Sequence, residues 1–153
     1  MCDYSLHGVR SRPAKVADKL VSTSFWHTPT RGFSAVGEPG IAVCLRPGTE
    51  LAFESEIKAQ ASLFRTLLSV LAGQEGGTVI RQRVGRFRQI NVDNPNTHHD
   101  AIEFPDGTVL LVTHLRPGQL ATVLQLPADA QDVPGTDKTQ VGPHAPMPVP
   151  MHR

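Results

Sequence analysis

The stretch SEIKAQASLFRTLLSVLAG, residues 55–73, decides the fold class. Ile57, Ala61, Phe64, Leu68 and Leu71 recur at alternating steps of four and three, the period of one helix face. Lys58, Ser62, Arg65 and Ser69 fall on the opposite side, and Leu63, Leu67 and Val70 widen the apolar stripe. Ser55 suits an N-cap, and Glu54 and Glu56 suit the positive end of a helix dipole. Gly73 would end the helix, and Gly76 and Gly77 would keep it from resuming. The expectation is one long amphipathic helix packed on a sheet.

Around that stretch the chain reads as short strands between Gly, Pro, Asn and Asp punctuation. The expected strands are Tyr4–Val9, Lys19–Phe25, Gly32–Val36, Ile41–Leu45, Leu51–Phe53, Thr78–Val84, Phe87–Val92, Ala101–Phe104, Thr108–Leu115 and Leu120–Leu126. Strands, one helix, then strands again describe an α+β fold with a largely antiparallel sheet that can curl into a barrel. No GxGxxG, Walker loop or GxSxG is present.

All six phenylalanines lie between Phe25 and Phe104. Residues 1–126 are therefore expected to form a single domain. Residues 127–153 hold six of the thirteen prolines and no aromatic residue, the composition of a disordered proline-rich tail. The chain has 153 residues and a formal charge of +1, which argues against a broad nucleic-acid or membrane field. No apolar run approaches the ~18 residues of a membrane helix. Two cysteines are too few for a disulfide framework, and a cytoplasmic protein would keep them reduced. A cytoplasmic domain with free thiols is expected.

One internal similarity stands out. Leu45-Arg46-Pro47-Gly48 and Leu115-Arg116-Pro117-Gly118 each follow an apolar strand, and each leads into Leu-Ala, at Leu51-Ala52 and Leu120-Ala121. Pro then Gly is type II turn chemistry, so two explanations stand: independent turns, or duplicated half-domains. Cys44 and His114 each precede the Leu of their turn, which suggests equivalent strand ends.

A second hairpin runs from His98 and His99 through Pro105-Asp106-Gly107 to His114. With Asp106-Gly107 as a two-residue loop, Phe104 faces Val109 and His99 faces His114; a loop one residue longer brings in His98 instead. Cross-strand imidazoles can share a metal ion. Adding Cys44 by turn equivalence gives a mononuclear Cys/His site for a divalent metal ion such as zinc, iron or copper. Cys2 or His7 would complete it, with Asp100 as an outer hydrogen-bond partner. Water in the fourth position would permit hydrolysis or oxygen activation, and a closed site would be structural.

The competing reading is a non-enzymatic interaction module. Arg81, Arg83, Arg86 and Arg88 cluster around Phe87 and could hold an anionic ligand or partner protein.

Overall fold

The computed structural model describes Leu6 and residues 8–60 and 77–128. Eleven strands occur there: β1 (Ser11–Pro13), β2 (Lys19–Ser24), β3 (Arg31–Ala35), β4 (Ala42–Cys44), β5 (Glu50–Phe53), β6 (Ile57–Gln60), β7 (Gly77–Ile80), β8 (Val84–Gln89), β9 (Asp100–Glu103), β10 (Val109–Leu111) and β11 (Leu120–Gln125). Nine form one curled sheet in the order β1-β4-β3-β2-β11-β5-β8-β9-β10. Only β1–β4 is parallel within it. Side chains alternate as a half-covered sheet requires: in β8, Gly85 and Phe87 point inward while Val84, Arg86 and Arg88 are exposed. The inward face carries Leu20, Leu51, Ile102, Leu115, Ala121 and Val123, all essentially inaccessible. The β6–β7 ribbon adds Ile57, Ala59 and Ile80 to the same core.

The expected long helix is overturned, and with it the α+β class. No α-helix occurs among the described residues. Ile57–Gln60, the helix's expected first turn, is strand β6, with Ile57 paired to Ile80 and Gln60 to Gly77. Ile57 and Ala59 are buried while Lys58 and Gln60 are exposed, a period of two. Four residues fit either period, and tertiary pairing decides. The Gln119 side chain accepts from the Lys58 N–H (2.7 Å) and donates to its carbonyl (2.8 Å), replacing a neighbouring strand. Glu54 and Ser55 sit in a bend, with the Glu54 N–H on Leu120 O (3.0 Å), so Ser55 caps nothing. The rest of that stretch, residues 61–76, lies outside the described residues, as does the proposed tail beyond residue 128.

Strands β1 and β6 escaped the sequence reading. The expected Thr78–Val84 strand divides into β7 and the start of β8, and Thr108–Leu115 ends early in a 3₁₀ turn, Val112–His114.

The Leu-Arg-Pro-Gly similarity is structural as well as textual. Gly48 and Gly118 have φ of +96° and +87°, the left-handed conformation a type II turn demands after proline. Each turn docks on a strand by the same pair of bonds. Gly48 N–H donates to Phe87 O (2.8 Å) and Phe87 N–H to Thr49 O (2.8 Å). Gly118 N–H donates to Ser22 O (2.8 Å) and Ser22 N–H to Gln119 O (2.9 Å). Ser22 and Phe87 are therefore counterparts.

From those anchors the whole sheet maps onto itself. The pairs Glu50↔Arg86 and Leu120↔Val21 correspond, as do Ser22↔Phe33 and Phe87↔Ile102, Ser24↔Arg31 and Gln89↔Asp100, and Ser34↔Ala42 and Glu103↔Val109. Strands β2, β3, β4 and β5 match β8, β9, β10 and β11. The closing strand of each half is exchanged: β5 lies on β8, and β11 lies on β2. At the centre, Ala52↔Thr122 is its own counterpart, so a pseudo-two-fold axis passes through it. Inserted between β10 and the second turn are the three residues Val112–His114, where β4 runs directly into Leu45. The sheet therefore equates Cys44 with Leu111, correcting the equivalence of Cys44 with His114.

Candidate functional site

The histidine hairpin turns through three residues, Pro105, Asp106 and Gly107. Phe104 N–H donates to Thr108 O (2.9 Å), and Gly107, at φ +84°, donates to Phe104 O (2.9 Å). Asp106 accepts the Thr108 N–H (2.9 Å), which holds its carboxyl below the usual value. Val109 consequently faces Glu103 rather than Phe104. This register would point His98, not His99, toward His114. Pairing stops at Leu111, however, because the next three residues coil into the 3₁₀ turn. His114 is exposed on that turn. The His99 ring donates through Nδ1 to Ile90 O (3.0 Å), and His98 is half-buried beside it.

Cys44 is disulfide-bonded, so it has no thiolate to offer a metal. This corrects the expectation of free thiols. The chain's other cysteine is Cys2, which like His7 lies outside the described residues. Among the described residues, no three His, Cys, Asp or Glu side chains gather to hold a metal ion.

The four arginines divide into two kinds. Arg86 pairs with Glu50 (2.8 Å), and Arg88 with Glu103 (2.7 Å), across neighbouring strands. These partners were not picked out by sequence reasoning; their signal is the ladder, which sets Glu50 and Glu103 on either side of Arg86. Arg81 and Arg83 lie on the link between β7 and β8, exposed and without an ion pair among the described residues.

Two open grooves flank the pseudo-two-fold axis. One, about 430 Å³, is lined by Glu50, Val84, Arg86, Glu103 and Pro105. The other, about 300 Å³, is lined by Lys19, Val36, Glu54 and Leu120. Val84 corresponds to Lys19, Pro105 to Val36 and Glu50 to Leu120, so the grooves are counterparts with different chemistry. The larger groove, with Arg86 between Glu50 and Glu103, belongs to the half that carries Arg83.

Arg83 has an exact structural counterpart in Asp18. Val123 N–H donates to Asp18 O (3.0 Å), and Phe53 N–H donates to Arg83 O (2.6 Å), with Val123 and Phe53 matched by the sheet. In the first half the Asp18 carboxylate meets Arg12 of β1 (2.8 Å), which also reaches Glu38 (2.7 Å). Burial works to raise the Asp18 carboxyl, but hydrogen bonds from the Arg12 guanidinium and the Lys15 N–H outweigh it and leave it below the usual range. The same bonds, to Asp18 first and Glu38 second, raise Arg12. Sequence reading missed this triad because its members are scattered on short connections with no motif spacing.

No helix among the described residues is long and apolar enough to cross a membrane. No protein-family model matches the chain, and neither a curated protein nor a solved structure matches it.

Proposed function

We propose that this chain is a non-enzymatic binding module that holds an acidic group of a partner on Arg83, assisted by Arg81. One observation carries the reading: Arg83 stands where the other half has Asp18, yet among the described residues it lacks the opposite charge that Asp18 finds in Arg12. Arg86 and Arg88 are already neutralised, which leaves the first two arginines of the cluster to meet an anion. A guanidinium offers a planar fork of donors suited to a carboxylate. The Cys44 disulfide favours an oxidising compartment over the cytoplasm.

The test is fluorescence anisotropy with a labelled hexaglutamate peptide at low salt, using the full chain. The double variant Arg81→Ala/Arg83→Ala should weaken binding at least about tenfold. Removing both ion pairs whole, by Glu50→Gln/Arg86→Gln with Glu103→Gln/Arg88→Gln, leaves the net charge unchanged and should change binding less than about threefold. The reverse order of effects would refute the assignment.

A further inference from the structure

Resting on that reading, we infer that the outer edge of β10 accepts an extended acidic peptide, added as a strand parallel to β10. The pseudo-two-fold axis supplies the template. Strand β4, the counterpart of β10, is covered by β1 in parallel, with Ser11, Arg12 and Pro13 opposite Ala42, Val43 and Cys44. The Ala42 N–H donates to Arg10 O (2.8 Å), and Ala14 N–H donates to Cys44 O (3.1 Å). No strand among the described residues covers β10 in the same way.

The backbone of β10 is set to receive one. Phe104 and Thr108 form a hydrogen-bonded pair, so antiparallel alternation turns the Leu110 groups toward β9 and the Val109 N–H and C=O toward the open edge. Val109 is the counterpart of Ala42, and its N–H faces where Arg10 O would stand. The 3₁₀ turn that begins at Val112 cuts the edge short, which limits the added strand to a few residues.

The two outer edges are also protected differently. Pro13 and the ion-paired Arg12 blunt β1, as exposed edges are usually blunted. Strand β10 reads Val109-Leu110-Leu111, with neither proline nor charge. Such an edge is a template for strand addition, where main-chain bonds give affinity and side chains give selectivity.

Charge selects the occupant. A residue opposite Leu110 takes the place of Arg12 opposite Val43. Where Arg12 meets Asp18, the incoming side chain meets Arg83. An acidic residue there restores the ion pair with its polarity reversed, and a basic one is repelled.

Two peptides with the sequence of Gly8–Val16, each carrying Arg10→Gln and Lys15→Gln so that position 12 holds the only charged side chain, test this, one with native Arg12 and one with Arg12→Glu. Each is titrated into the ¹⁵N-labelled full chain and followed by amide and arginine Hε shifts. The Arg12→Glu peptide should shift the Val109 amide and the Arg83 Hε together, with at least about fivefold tighter binding than the peptide that keeps Arg12. Arg83→Asp in the chain should reverse the preference, and Arg83→Gln should abolish it. Shifts at Arg83 without Val109 would overturn the edge while sparing the anion reading; shifts at neither would overturn both. A Val109 amide that is already protected in the dilute chain, or that shifts with protein concentration alone, would mean another segment or a second copy takes the edge, and would overturn the acidic-peptide occupant.

Discussion

Gly85 and Phe104 offer a quantitative test of the two-fold correspondence. Their counterparts are Leu20 and Ala35, which pair directly across β2 and β3. One half thus sets a large residue opposite a small one, and the other half reverses the order, so the volume is conserved. A Cβ built on Gly85 would lie 2.5 Å from Ile102 Cγ2, and 3.1 and 3.2 Å from the Phe104 ring. Ile102 and Phe104 are both essentially inaccessible, so neither can give way into solvent. Gly85→Leu alone should therefore cost at least about 1–3 kcal/mol through overpacking. Phe104→Ala alone should cost about 3–5 kcal/mol through the cavity it leaves. Together they recreate the Leu20–Ala35 arrangement, and the vacated ring space lets Ile102 turn aside. The double variant should be more stable than the sum of the single effects by at least about 1 kcal/mol, within the range of coupled neighbours. Urea denaturation with intact disulfide, read as midpoint and slope, measures this. Costs that add to within about 0.5 kcal/mol would refute the volume exchange.

Native protein should show no titratable thiol, and Cys44→Ser should lower stability by about 2–4 kcal/mol in chemical denaturation. Gln119→Ala should cost about 1–3 kcal/mol, because it strands the Lys58 N–H, whereas the Lys58 carbonyl still accepts the Arg116 N–H; Gln119→Glu should cost less than full loss of the side chain, since its oxygen still accepts the N–H. Asp18 has a carboxyl pKa lowered on folding, so its stabilisation is present above the ordinary value of 3.8 and disappears as pH falls through the lower folded value. Denaturation between about pH 5 and about pH 2 should show a smaller acid-induced loss for Asp18→Asn than for the unaltered chain.

Most strands were legible because alternation and turn residues are local. Lys19–Ser24, Arg31–Ala35 and Leu120–Gln125 fall where apolar alternation and Gly-Pro punctuation put them. The helix reading failed at Ile57–Gln60 because four residues satisfy two periods, and the deciding partners, Gly77–Ile80 and Gln119, are distant in sequence. The repeated Leu-Arg-Pro-Gly pointed to related halves, but only the ladders reveal the inserted Val112–His114 that separates Cys44 from His114. The histidine register slipped by one because Pro105 joins the loop, and a glycine at positive φ suits three-residue and two-residue turns alike. Of the arginine cluster, composition identified the residues. Their division into paired and unpaired members depends on Glu50 and Glu103, which folding brings alongside.

The most direct test of the account compares two backbone amides by hydrogen exchange in the dilute full chain. Ala42 and Val109 occupy equivalent places at the ends of the two-fold sheet, one bonded to Arg10 and the other on an edge that no strand among the described residues covers. Exchange at Ala42 should be slower than at Val109 by at least roughly tenfold after correction for intrinsic rates. Equal protection of the two amides would contradict the account, because the second edge would then be covered like the first.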